Sequence, residues 1–540
     1  MSEELTRKTL RGATLLVSSQ GLSRLLTFIG NVLLVRSMDN DARPLGVSST
    51  QLHLLYVAAL AITRDGVRRT CLRELPSNIS LEDRASWEMG ASLSRAYTLT
   101  GIFLITPLVF YHFLNNAPSD VQTKEYNLSL WLVVTGSCFE LLSEPMYVVA
   151  QNSSMFKLRS SVEAASAMCR AAVGLACSVL FGCKLSAFAW GYFATGITIY
   201  LVYALGMMRA TNQGVMFPLQ ITLGGRPSFH LDTHLGQFTL LTTVQSAWKL
   251  MLSEGEKIVM IAMGTVTSDR GAYAMAANLG SLAARLVLQP CEEAAFTLFG
   301  KLKGDRSVDH LFSVLTRASI LFGLVFLCFG TQYTHLLVML LYGRGWADGT
   351  ETPYILSWYC VFIAVCAVNG ITEAFLQAVA NNAETKSFNL WLLFCSLLFV
   401  GTSAILLPVM GTSGLVAANS FVMMVRIARN VSFAMAHVSE DCSPRSFVPS
   451  PRVLAAFFVG LIGSTLSRMM VYHSGAGLIR MAMHVAIGGA LFLMAMVAVF
   501  LDDKDLVATL SGRRSPKETP TMEVTQANDQ DGDEVTKKTN

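Results

Sequence analysis

The chain has 540 residues, of which 52% are hydrophobic and 14% are charged. Soluble domains carry about 25% charged residues, so this composition excludes an ordinary soluble protein and indicates a membrane protein. The formal net charge of +4 is too small to favour nucleic acid as a partner. The 11 cysteines are scattered without paired metal-type spacing, which favours small apolar core residues over a metal site.

Apolar windows of about 20 residues recur along the chain, each long enough to cross a bilayer as a helix. The first follows Arg11 without a small-residue cleavage site, so we interpret it as a helix and not as a cleaved signal. We predict an all-α polytopic membrane protein with about 14 transmembrane helices, in two six-helix lobes plus a terminal pair. The predicted spans are 12–35, 45–62, 90–114, 128–151, 160–181, 185–208, 235–262, 271–299, 308–330, 353–380, 386–408, 412–437, 450–472 and 478–501.

Positive charge alternates between successive predicted loops. One set of loops carries most of the arginines and lysines, among them Arg69, Lys157 and Lys301, and the other set carries few. Positive loops remain on the cytosolic side, so the alternation predicts that both termini are cytosolic.

A short internal repeat supports the two-lobe arrangement. The segment 19–24 resembles 244–249, and the same offset pairs Gly46 with Gly271. Transporters built from repeats bind their substrate at the interface between the repeats. The predicted units are an amino-terminal lobe (1–208), a cytosolic inter-lobe link (209–234), a carboxyl-terminal lobe (235–437), a terminal helix pair (438–501) and a disordered cytosolic tail (502–540).

Several cations lie inside or beside the predicted spans. A charge in the bilayer core costs roughly 2.5–3.5 kcal/mol, so such residues face a watery cavity or a partner. Guanidinium groups bind phosphate oxygens through two parallel hydrogen bonds, and lysine binds them as a point charge. These residues could line a site for a phosphate or diphosphate, or they could pair with intramembrane glutamates. Arg64 and Arg68 lie near a helix end, so their side chains could instead extend to the membrane–water interface. The candidates for a diphosphate site are Arg24, Arg64, Arg68, Lys249 and Arg285.

Acidic and polar residues in the same spans predict an intramembrane network. Glu140 and Glu144 are four residues apart and share a helical face, where we expect them to pair with Arg170 ahead of binding a proton or sodium. The stripes that begin at Lys249 and Arg285 could form one network across the seventh and eighth helices. Its predicted members are Glu140, Glu144, Glu254, Glu256, Lys257, Gln289, Glu292 and Glu293.

Catalytic signals are weak. His230 and His234 have a metal-like spacing, but two further ligands are not apparent, so we predict no metal. The chain has no phosphate-binding Walker loop and no recognisable nucleophile–base pair, so we predict neither an enzyme nor a cofactor. Lys537 and Lys538 look like a dilysine retrieval signal, which acts only on a cytosolic tail.

Six short motifs resemble those of the Rft family, and the resemblance runs from about residue 12 to 500. The block between residues 245 and 293 is the most specific part. The motifs are Thr27-Phe-Ile-Gly-Asn31, Arg64-Asp-Gly-Val-Arg-Arg69, Leu252-Ser-Glu-Gly-Glu-Lys-Ile-Val-Met260, Asn278-Leu-Gly-Ser-Leu-Ala-Ala-Arg285, Gln289-Pro-Cys-Glu-Glu293 and Asn369-Gly-Ile-Thr-Glu373.

The resemblance implies a function in N-linked glycosylation at the endoplasmic reticulum membrane. It implies the fold of the multidrug, oligosaccharidyl-lipid and polysaccharide exporters, with two lobes around a central cavity. The implied client is the dolichyl-diphosphate heptasaccharide, and pathway enzymes are implied as further partners. Arg24 and Arg64 look like counterparts of cavity arginines in bacterial lipid-diphosphate flippases. Three hypotheses stay open: a transporter of that lipid, a non-transporting accessory protein and, disfavoured by the motifs, a cation-coupled drug antiporter.

Overall fold

The computed structural model describes residues 28–38, 40–74, 81, 83–153, 155–211, 216–224, 234–302, 307–438, 447–472, 477–503 and 506. Over these residues the regular secondary structure is helical, without a β-strand. The helices are α1 (28–36), α2 (Arg43–Val47, Ser48–Leu52, His53–Glu74), α3 (Arg84–Thr100, Gly101–Ile105, Thr106–Asn115), α4 (Thr123–Leu142), α5 (Glu144–Asn152), α6 (Phe156–Phe181), α7 (Leu185–Thr211), α8 (Met216–Leu223), α9 (His234–Ser253), α10 (Gly255–Ala262), α11 (Thr267–Ala283, Ala284–Leu288, Gln289–Lys301), α12 (Ser307–Val325, Phe326–Gly330, Thr331–Tyr342), α13 (Arg344–Gly349), α14 (Thr352–Val379), α15 (Asn382–Met410), α16 (Ser413–His437), α17 (Pro451–Met470) and α18 (Leu478–Asp502). Four long helices, α2, α3, α11 and α12, contain a π-helical turn. Each of these is written as three consecutive ranges, and the middle range is the π-helical turn.

Ten helices in the described part of the chain are long and apolar enough to cross a bilayer, which confirms the all-α polytopic prediction. The number 14 stays a prediction. The predicted span 12–35 lies mostly outside the described residues. The spans at 235–262, 271–299 and 412–437 correspond to α9–α10, α11 and α16, which are not among the ten.

Small residues let the helices of the amino-terminal half pack closely. A Cβ added to Gly136 of α4 would lie 2.8 Å from the backbone of Phe193 in α7, so these helices touch through their main chains. The short helix α8 lies in the predicted inter-lobe link and packs on α3, where Arg95 donates a 2.8 Å hydrogen bond to the carbonyl of Ile221. The link is therefore attached to the amino-terminal half.

One buried apolar cluster joins the two halves of the chain. Val32, Val35 and Ala42 from the amino-terminal half pack with Met260 and Ala276 from the carboxyl-terminal half. Helices α7 and α16 end at Thr211 and His437, close to the predicted lobe ends at 208 and 437. The division at those residues stays a prediction.

The predicted span 235–262 is two helices and not one. α9 ends at Ser253, Glu254 has non-helical backbone angles (φ −100°, ψ 9°), and α10 begins at Gly255. The break interrupts the continuous stripe of Lys249, Ser253 and Glu256 that an unbroken helix would give.

Candidate functional site

Arg64 and Arg68 each hold a buried carboxylate. Arg64 pairs with Glu140, whose carboxylate also accepts a hydrogen bond from the hydroxyl of Tyr56. Arg68 makes two parallel hydrogen bonds to Glu144, 2.8 and 2.6 Å long. The carboxylate side chains are 6% and 5% exposed, so these are ion pairs largely removed from water.

The expectation that Arg170 neutralises Glu140 and Glu144 is wrong. Both carboxylates belong instead to the arginines of α2, which lie one helical turn apart, as the two glutamates do. The guanidinium of Arg170 lies over the ring of Tyr192, 3.8 Å from the ring centroid. Its charge is thus placed beside an aromatic face.

Two of the other candidate cations, Lys249 and Arg285, lie in the carboxyl-terminal half of the chain. Lys249 is exposed on α9, one turn before Ser253. Arg285 lies in the π-helical turn of α11 and donates a 2.8 Å hydrogen bond to the hydroxyl of Ser281. Arg24 lies outside the described residues.

A cavity of about 780 Å³ lies between the two halves of the chain. Its cationic wall residues are Arg170, Lys257 and Arg285, and four tyrosines and several serine and threonine hydroxyls also line it. A cavity with this lining offers charge, hydroxyl hydrogen bonds and aromatic faces to one polar ligand.

A polar chain crosses from one half to the other along the cavity wall. His53 of α2 lies 3.3 Å from the hydroxyl of Tyr192 through Nδ1 and 3.4 Å from Glu254 through Nε2. Lys257 donates a 2.6 Å hydrogen bond to the other oxygen of Glu254. Glu254 therefore joins a cation of its own half to a histidine of the opposite half.

The predicted network across the seventh and eighth helices is built from a different set of contacts. Glu256 accepts hydrogen bonds from Tyr273 of α11 and from Asn419 of α16, the latter 2.9 Å long. Tyr359 of α14 donates a 3.1 Å hydrogen bond to the Tyr273 hydroxyl. Glu256 thus ties together several helices of the carboxyl-terminal half.

The remaining predicted network members line a second cavity of about 560 Å³ in the carboxyl-terminal half. Gln289 donates a 3.2 Å hydrogen bond to Glu293, and the carboxylate of Glu292 packs against Gly370 of α14. Glu373, on the same wall, pairs with Arg426. In the described part of the chain, no three histidine, cysteine or acidic residues are grouped as a metal site. His230 lies outside that part.

Sequence reasoning missed the aromatic residues and the histidine of the central cavity. Tyr192, Tyr273 and His53 follow the same apolar helical pattern as core residues, so their types and spacing carry no distinguishing signal. The Arg64–Glu140 and Arg68–Glu144 pairs did leave a signal in the sequence. The two arginines are four residues apart, and so are the two glutamates.

Many membrane-length helices packed around a polar central cavity make up the fold. Two solved structures share this fold. The lipid II flippase MurJ, in an inward closed conformation, covers 92% of this chain and all of its own, with a TM-score of 0.62 and 13% identity. An inward-facing multidrug resistance MATE family transporter covers 76% of this chain and 95% of its own, with a TM-score of 0.57 and 12% identity.

The family model described as Rft protein matches residues 8–513, and the chain belongs to that family. A Dictyostelium discoideum relative is 26% identical over 91% of this chain and 94% of its own length. A Xenopus tropicalis relative is 26% identical over 94% of this chain and 96% of its own length. Both relatives are named Man(5)GlcNAc(2)-PP-dolichol translocation protein RFT1. The family and the exporter-like fold predicted from the sequence are confirmed.

Proposed function

We propose that this protein handles the dolichyl-diphosphate heptasaccharide at the endoplasmic reticulum membrane and carries it from the cytosolic to the lumenal leaflet. The observation that carries the proposal is the central cavity between the two halves. Its cations suit a diphosphate, and its hydroxyl groups suit the sugar hydroxyls. The names of the relatives point to the same lipid.

Among the sequence-derived candidates for the diphosphate site, the contacts favour Arg285 over Arg64 and Arg68. Arg285 lines the central cavity. Arg64 and Arg68 are already neutralised by Glu140 and Glu144, so a ligand would have to displace a buried carboxylate. Arg24 and Lys249 stay predicted members of the site.

The proposal includes a location and an orientation. Both termini lie in the cytosol, as the loop charges favour. The cavity then connects the cytosolic leaflet, where the client lipid is made available, to the lumenal leaflet by alternating contacts between the lobes. Enzymes of the glycosylation pathway would meet the protein at those two surfaces.

Reconstitution of the purified full chain in vesicles tests this function. The vesicles contain the dolichyl-diphosphate heptasaccharide, and an added sugar-binding protein reports the fraction in the outer leaflet. We expect the protein to speed equilibration of the lipid between leaflets relative to protein-free vesicles. Equal rates, from protein that binds the lipid and restores glycosylation in deficient cells, would identify an accessory protein and reject transport.

A further inference from the structure

The central cavity contains an arginine whose surroundings differ from those of Arg64 and Arg68. Arg170 lies on α6 and lines the cavity together with Ser166 and Tyr192. Among the described residues it forms no ion pair with a carboxylate, whereas Arg64 and Arg68 each form one. A cation placed inside a membrane protein needs water, an acidic partner or an anionic ligand.

The contact with Tyr192 leaves most of the hydrogen-bonding capacity of Arg170 unused. The guanidinium carbon lies 3.8 Å from the ring centroid, within range for a cation–π interaction. A guanidinium has five N–H donors in its plane, and a tyrosine offers a single hydroxyl oxygen as acceptor. The ring therefore fixes the position of the group while donors remain for a ligand.

The hydroxyl of Tyr192 connects this position to the opposite half of the protein. It lies 3.3 Å from His53, and His53 lies 3.4 Å from Glu254, which binds Lys257 at 2.6 Å. Arg170 and Lys257 thus lie at the two ends of one polar chain along the cavity wall. Lys257 is paired with Glu254 and faces the same cavity from the other half, whereas Arg170 brings its guanidinium to the cavity beside an aromatic ring.

The geometry points to Arg170 as the principal diphosphate-binding residue of the central cavity, held in place by Tyr192 and assisted by Lys257 from the other half. This assignment rests on the proposed function, because it names the residue that would hold the client's diphosphate. Phosphate oxygens accept paired hydrogen bonds from a guanidinium in the geometry that carboxylates use.

Lipid binding to the purified full chain in nanodiscs tests the assignment. The probes are dolichyl diphosphate, dolichol without phosphate, and free inorganic pyrophosphate. We expect the native chain to prefer dolichyl diphosphate over dolichol, and Arg170→Gln to reduce that preference on the order of ten- to a hundredfold, the range for loss of hydrogen bonds to a charged group. Arg170→Lys should retain part of it, since the charge stays and the planar group is lost.

The matched control is Arg159→Gln on the same helix. Arg159 pairs with Glu163 at 3.1 Å and is 42% exposed, so its loss should leave the lipid preference unchanged. Tyr192→Leu removes the aromatic face over which the guanidinium of Arg170 lies, and it should weaken binding. Pyrophosphate that competes as strongly as the lipid would show a free-anion site and overturn the lipid assignment.

The outcomes separate this assignment from the proposed function. A folded Arg170→Gln chain with native preference for dolichyl diphosphate overturns the role of Arg170 and leaves the proposed function standing. A native chain with no preference overturns both. Should Arg170→Gln fail to fold, Arg170→Lys decides: native preference in that variant overturns the assignment, and a reduced preference at unchanged melting temperature supports it.

Discussion

Gly46 and Gly271 lie against each other where α2 crosses α11. A Cβ added to Gly46 would lie 2.9 Å from the backbone nitrogen of Gly271 and would overlap the carbonyl oxygen of Thr267. These two glycines hold equivalent places in the internal repeat seen in the sequence. The two halves of the protein therefore meet through a backbone contact between matching positions.

We expect Gly46→Ala to destabilise the protein, because the added methyl group must push the two helices apart. Overpacking of this kind costs about 1–3 kcal/mol. The melting temperature of the purified protein measures the change. Gly401→Ala is the control, since Gly401 is also helical and an added Cβ there meets no atom within 4 Å. Equal melting temperatures for the two variants would contradict a tight crossing at Gly46.

The fold was predictable from the sequence because bilayer-length apolar windows report helices directly. The predicted span 386–408 falls within α15 (Asn382–Met410). Helix ends are less predictable: the predicted span 45–62 covers only part of α2, which continues to Glu74. Hydropathy detects the part of a helix that is apolar, and the last turns of α2 carry Arg64 and Arg68, whose partners come from α4 and α5.

The site was less predictable, because side-chain pairing depends on which helices become neighbours. Glu140 and Glu144 lie on α4 and α5, and both pair with arginines of α2, a choice of neighbour that the sequence does not reveal. The break at Glu254 was also missed. It moves Glu254 beside His53, a contact between residues far apart in the chain.

The Arg68–Glu144 pair should be structural. Glu144→Gln leaves a largely buried guanidinium without its counterion, which costs about 3–5 kcal/mol, so we expect low steady-state abundance. Arg68→Gln together with Glu144→Gln removes both charges and should restore much of that abundance. Quantitative immunoblotting beside the glycan occupancy of a reporter protein measures both effects. Full abundance of Arg68→Gln with lost glycosylation would instead place Arg68 in the ligand site.

Arg24 lies outside the described residues, and its prediction rests on the sequence. It falls midway along the first predicted span, where its charge requires compensation. If it binds the client's diphosphate, Arg24→Ala should lower reporter glycosylation at unchanged protein abundance, and Arg24→Lys should retain part of the function. Normal glycosylation by an abundant Arg24→Ala chain would remove Arg24 from the site.

Lys537 and Lys538, also outside the described residues, should retrieve the protein to the endoplasmic reticulum from a cytosolic tail. We expect replacement of both by serine to move part of the protein to later secretory compartments, measured by microscopy of the tagged chain. Protease protection of a carboxyl-terminal tag checks the orientation. A protected, lumenal tag would contradict the cytosolic terminus and remove the basis for retrieval.

The His53–Glu254 contact should hold the two halves together in this conformation. His53 belongs to α2, Glu254 lies at the break between α9 and α10, and the two side chains are 3.4 Å apart. The proposed transport by alternating access would require the halves to move relative to each other, and this contact would then break during the cycle. Glu254→Gln keeps the shape of the side chain and removes its charge, which weakens its bonds to His53 and Lys257.

We therefore expect Glu254→Gln to favour conformations in which the halves are separated. Hydrogen–deuterium exchange at 43–52 and 255–262 should become faster, because backbone groups covered at the contact between halves open more often. The control is Glu163→Gln, which removes a carboxylate of similar size whose partner, Arg159, lies on the same helix. Its exchange at both segments should match that of the native chain. If Glu254→Gln also leaves both rates unchanged, the contact does not restrain the halves, and the backbone crossing at Gly46 and Gly271 must hold them instead.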